Sequence, residues 1–175
     1  MWPISFVGGQ SLRRALQVKA GVGRASSMGT TYYVYALGDP WVETLRSSGQ
    51  NLPLGEPSRR PTASEVAALL ASSSDLGLEE HCEGTQWSAT IQYAGPLARS
   101  TRLVVDEAKR GRSQGMRFEG GDPELMITVL ERLAPTCGVL VLRAETSLRP
   151  IVIRAGIDPI AALAVWRQPL SEGLR

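Results

Sequence analysis

Hydrophobic and polar residues along the chain follow two periods, one of two residues and one of three to four, and their succession sets out the elements. The clearest two-residue alternation lies at Gln86 to Tyr93. Trp87, Ala89, Ile91 and Tyr93 occupy one side of an extended segment and Gln86, Ser88, Thr90 and Gln92 the other, which predicts a half-buried strand. Arg102 to Glu107 and Arg117 to Glu119 continue the pattern on either side of the turn-forming run Lys109-Arg110-Gly111-Arg112-Ser113-Gln114-Gly115, so an antiparallel meander is expected. Thr31 to Leu37 is β-branched and aromatic and predicts a strand that stops at Gly38. Val139 to Leu142 is continuously apolar, as a strand covered on both faces would be, with Pro150 to Ile153 its partner across the turn from Ala144 to Arg149.

The helical period is strongest at Met126, Val129, Leu130 and Leu133, a stripe that Pro135 and Gly138 should end. Thr62 with Glu65 three residues on forms a capping-box pattern ahead of Val66, Leu69 and Leu70. Asp-Pro occurs three times, at Asp39-Pro40, Asp122-Pro123 and Asp158-Pro159, each time before an apolar-periodic segment. The carboxylate can accept from an orphan amide while proline presets φ at the first helical position. These starts predict helices carrying Trp41, Val42 and Leu45, then the Met126 stripe, then Ile160, Leu163 and Ala164 turned inward with Trp166 near the end. Their unequal separations exclude a fixed-period repeat. Ser47 to Arg60 is aperiodic and reads as a loop, and Trp41, Trp87 and Trp166 read as core anchors. The sum is an α+β fold: a single mixed or mainly antiparallel sheet of about six strands, with three to four helices packed on one face.

Composition agrees with one domain. At 175 residues, 43% hydrophobic and 21% charged, the chain can close a core without a metal or disulfide, and no cofactor is called for. Its two cysteines, Cys82 and Cys137, lie in unlike contexts and suit a reducing, cytoplasmic setting. Pro, Gly or a charge interrupts every apolar run before the roughly 18 to 20 residues of a spanning helix, so no membrane insertion is expected. The charge of +2 is unevenly placed. Residues before Asp39 include Arg13, Arg14, Lys19 and Arg24 and no acid, and subtracting these four from 19 basic residues leaves 15 against 17 acidic. Residues 1–27 therefore read as a separate extension: a targeting leader, an arm, or the product of an upstream start, with Met28 opening the domain at 28–175. The mildly acidic remainder disfavours nucleic acid as the partner.

Candidate chemistry is sparse. No Gly-Lys-Ser or Gly-Lys-Thr phosphate loop and no Gly-x-Gly-x-x-Gly after a strand is present. His81, the sole histidine, lies in Glu79-Glu80-His81-Cys82-Glu83. A small enzyme built on His81 and Cys82 would need a distant carboxylate to converge on them, since adjacent residues diverge on any regular element. The bland reading is a solvated acidic loop with Cys82 tucked inward. Asp106 with Glu107, and Glu119 with Asp122, are candidate acid pairs, although Asp122 already has a capping role. Lys109, Arg110 and Arg112 make a basic hairpin tip that could touch phosphate alongside the N-terminal arginines, or could simply keep a hairpin soluble.

The stretch from Phe118 through Gly120-Gly121-Asp122-Pro123-Glu124 and a helix to Cys137-Gly138-Val139-Leu140-Val141-Leu142 resembles small bacterial α+β proteins of the immunity type, which neutralise contact-delivered toxins. The resemblance implies a non-enzymatic inhibitor that binds a protein partner, a toxin domain, directly. Because many toxin active sites are basic, the acid-rich segment with Asp75, Glu79, Glu80, His81 and Glu83 is the expected partner-binding surface.

Overall fold

The β-branched, aromatic run near the N-terminus becomes β1 (Thr31–Ala36) and takes an interior position in a seven-stranded antiparallel sheet. The structure is a computed structural model, and it describes residues 29–84, 86–94, 99–107, 113–147 and 149–168. The extension 1–27 and the basic tip 109–112 lie outside them. From β1 the chain forms α1 (Pro40–Ser47), α2 (Ala63–Ala71), β2 (Leu76–Glu83), β3 (Gln86–Tyr93), β4 (Ser100–Glu107), β5 (Ser113–Gly121), α3 (Pro123–Cys137), β6 (Leu140–Ala144), β7 (Pro150–Ile153) and α4 (Pro159–Arg167). The strand order is β2-β3-β4-β5-β1-β6-β7. Both β5 and β6 run antiparallel to β1, so they run the same way and α3 crosses between them. No helix among the described residues is long and apolar enough to cross a membrane.

The expected meander of β3, β4 and β5 is present, as is the β6–β7 pair. The additional strand is β2. Leu76, Leu78 and the acids after them alternate too weakly to predict a strand, and the segment expected to be an acidic loop pairs with β3 over its full eight residues. An edge strand tolerates charge because its side chains reach water, which is why composition misleads here.

One face of the sheet carries the larger core. Val34, Ala89, Ile91, Leu103, Val105, Phe118, Leu140, Leu142 and Ile153 meet α2, α3 and α4 there. Helix α3 lies deepest. Its Leu125, Met126, Ile127, Val129 and Leu130 are fully buried, at about 1.5–3 kcal/mol each before the entropic cost of ordering. It does not stop at Pro135: the last turn runs to Cys137, since a proline removes a single amide bond and the buried Cys137 keeps that turn packed.

Contrary to the one-face expectation, α1 packs on the other side. Val42, Leu45 and Leu52 meet Tyr35, Leu37, Val139 and Val141 in a second, smaller core over β1 and β6. Strand β6 is thus covered on both faces, as its unbroken apolar run predicted. The loop after α1 is held against this region. Ser58 Oγ accepts from Leu37 N at 2.8 Å and also donates to Val139 O, while Arg59 N donates to Cys137 O at 2.9 Å.

Helix starts follow the sequence with one exception. Asp122 accepts from the Glu124 and Leu125 amides, Asp158 from those of Ile160 and Ala161, and Thr62 with Glu65 forms the full capping box. Asp39 makes no cap bond. Its Oδ2 instead accepts from Ala36 N at 2.6 Å and from Arg60 Nε at 2.9 Å, because the tight turn back to β1 and the returning chain at Arg60 compete for the carboxylate. In α4 only Leu163 is buried, and Ile160, expected inward, is 66% exposed.

Candidate functional site

The five residues expected to meet a partner lie on or beside the sheet edge, and pairing register divides them. Residues directly opposite in an antiparallel pair share a face. Glu80 opposes Ala89 and Cys82 opposes Trp87, which places both on the α2 side. Glu79 opposes Thr90 and His81 opposes Ser88 on the other side. Glu83 is in register with Gln86. Asp75 sits just before β2 and is gripped by Arg132 through bonds of 2.8 and 2.6 Å. The Arg132 guanidinium beside it holds its carboxyl below the usual range, so this acid is already matched. Glu80 accepts from the Trp87 indole at 3.2 Å, and Glu79 lies 3.9 Å from His81 Nε2. Glu79, Glu80, His81 and Cys82 are exposed, and among the described residues β2 pairs with β3 alone.

His81 and Cys82 therefore point away from each other, and Cys82 is exposed rather than tucked inward. Both cysteines are free. Cys137 is buried at the end of α3, and burial pushes its thiol up, against the direction a nucleophile requires. Among the described residues no three of His, Cys, Asp and Glu gather as metal ligands do.

Of the candidate acids, Asp106, Glu119 and Asp122 are engaged by basic side chains, and the Glu107 side chain lies outside the described residues. Asp106 accepts from Gln86 and from Arg117, each at 2.7 Å, and Glu119 is shared between Arg117 at 3.0 Å and Arg102 at 3.4 Å. These residues form a charge ladder across β3, β4 and β5. Asp122 caps α3 and pairs with Arg99. Burial pushes its pKa up, but Arg99 and the Glu124 and Leu125 amides outweigh that and hold the carboxyl below its ordinary value. A general acid would need the opposite shift.

A cleft of about 440 Å³, not anticipated from the sequence, opens between β1, β6 and the first turn of α1, lined by Tyr33, Tyr35, Trp41, Arg60, Arg143 and Glu145 among others. Trp41 is not a core residue. It is 41% exposed and its ring lies 4.7 Å from the Arg143 guanidinium, with Tyr33 at 5.9 Å. Arg143 is buried to 6% exposure, its Nη1 donates to Ser147 O at 3.1 Å, and its Nε has no partner. The sequence signal was an arginine closing the apolar run Val139-Leu140-Val141-Leu142 on a strand covered from both sides, where a charge is unexpected.

Comparison with family models, curated proteins and solved structures finds no match to this chain.

Proposed function

We propose that the chain is a non-enzymatic recognition protein, an inhibitor of the immunity type, that captures a basic protein partner along the edge strand β2. The observation that carries the reading is that the expected acidic surface is the edge of the sheet. Its backbone amides and carbonyls on the outer side can extend pairing into an incoming segment. Glu79 and Glu80 flank that edge on its two faces, so an arriving strand meets negative charge on either side. Charge complementarity steers and selects a basic strand, and the same charges repel a second copy of this edge. Glu80 is held by the Trp87 indole, which lowers the entropy lost when it binds. Asp75, matched by Arg132, contributes less than its charge suggests.

The test is capture from the native source with the full chain, followed by titration of the purified partner against wild type and a Glu79→Lys, Glu80→Lys, Glu83→Lys variant at low and high salt. The reversed edge should weaken binding by at least about tenfold at low salt and abolish the salt dependence. A partner bound equally by both proteins, with the same salt response, overturns the reading.

A further inference from the structure

We propose that the cleft beneath Trp41 is a binding site for an organic carboxylate, with Arg143 as the residue that receives the anion. Among the described residues, Arg46, Arg59, Arg60, Arg99, Arg102, Arg117, Arg132 and Arg154 each form an ion pair with a carboxylate. Arg143 is the buried arginine, and it has none. A guanidinium withdrawn from water is costly unless an anion or a full set of hydrogen bonds compensates it. Here one carbonyl and two aromatic rings stand in, and Nε is left unpartnered. A carboxylate reaching the guanidinium from the cleft would compensate that buried charge, and the planar fork of arginine suits its two oxygens.

Charge and shape narrow the class. Arg60, on the cleft wall and 5.9 Å from the Tyr35 ring, is matched by Asp39, and Glu145 stands exposed at the mouth. The buried cation without a carboxylate partner is therefore Arg143 at the floor, while Glu145 sets a negative charge at the mouth, which fits a single carboxylate and disfavours a phosphate dianion. Tyr33, Tyr35 and Trp41 offer ring surface to the rest of the ligand, and the volume is that of a small-molecule site. The ligand is thus a monocarboxylate with an apolar or aromatic body, either a free small acid or the terminal carboxylate of a peptide. This site lies away from β2 and does not rest on the partner-binding reading.

Calorimetric titration of the full chain tests it, using benzoate, a short peptide ending in a free phenylalanine carboxylate, the same peptide amidated, and inorganic phosphate. Benzoate or the free peptide should bind saturably, and at least about tenfold more tightly than phosphate or the amide. Arg143→Met should lose at least about tenfold in that affinity, and the accompanying change in indole emission should vanish in Trp41→Phe. Whichever carboxylate binds more tightly identifies the source. Should Arg143→Met fail to fold, Trp41→Ala at an exposed position takes its place and should weaken binding at least about threefold. Absence of saturable carboxylate binding, equal binding of phosphate, or unchanged affinity in the folded variant overturns the proposal.

Discussion

Glu65 does three things with one carboxylate. It accepts from Thr62 N at 2.9 Å to close the capping box of α2, accepts from the Thr62 hydroxyl at 3.1 Å, and pairs with Arg59 at 2.8 Å. The Arg59 bond first, then the Thr62 amide, lower its pKa to about 2 from an ordinary 4.5. A carboxylate whose folded value is depressed contributes stability that is full above the unfolded value and lost as pH falls through the folded one, so the window here is about pH 4.5 down to about 2. Arg59 is half-exposed, and screening leaves about 1 kcal/mol of this contribution. Glu65→Gln should therefore cost about 1 kcal/mol near neutrality. Urea unfolding of both proteins should show that gap closing across the same window, while Asp75 and Asp122 destabilise both alike on acidification. A gap independent of pH would assign the effect to packing instead. This site was legible in the sequence because Thr-x-x-Glu specifies local geometry. Asp39 was not, although its dipeptide is the same as at Asp122 and Asp158, because Arg60 and the Ala36 amide reach it only in the fold.

Elements with strong local periodicity were read correctly, while the weakly alternating β2 and the placements set by distant contacts were not. The alternation in β3 and the apolar stripe of α3 mark the sides that meet the larger core, which periodicity can show, although α3 is buried well beyond that stripe. The placement of α1 on the second face depends on Val42 and Leu45 meeting Val139 and Val141, nearly a hundred residues away. The aperiodic stretch before α2 also has tertiary work, since Val139 N donates to Pro57 O at 3.2 Å and Ser58 bridges to Gly138, tying the loop to the α3–β6 junction. Gly138 makes that junction possible. Its φ of 76° and ψ of −156° belong to a region almost restricted to glycine, and a Cβ there would lie 1.9 Å from Pro57 O. Gly138→Ala should lose at least about 3 kcal/mol, combining backbone strain with the displaced loop, read as a lowered urea midpoint. A loss under about 1 kcal/mol would show that the loop is not held there.

At the scale of the whole molecule, the two edges of the sheet differ in kind. β7 is short, begins at a proline, and lies beside the poorly buried α4. β2 is eight residues long and relies on charge rather than length to avoid pairing with a neighbour. That contrast could not be drawn from the sequence, where β2 read as a loop and the acids as solvated charge. Placed on an edge, Glu79 and Glu80 gain a consequence independent of any partner, because removing them should convert β2 into a template for its own kind. Glu79→Val with Glu80→Val should leave the folded sheet intact by circular dichroism yet produce concentration-dependent dimers or larger species in sedimentation, suppressed again by Glu79→Lys with Glu80→Lys. A monomeric valine variant at all concentrations would mean that the outer side of β2 is already covered, and the partner-binding role of this edge would fall with it.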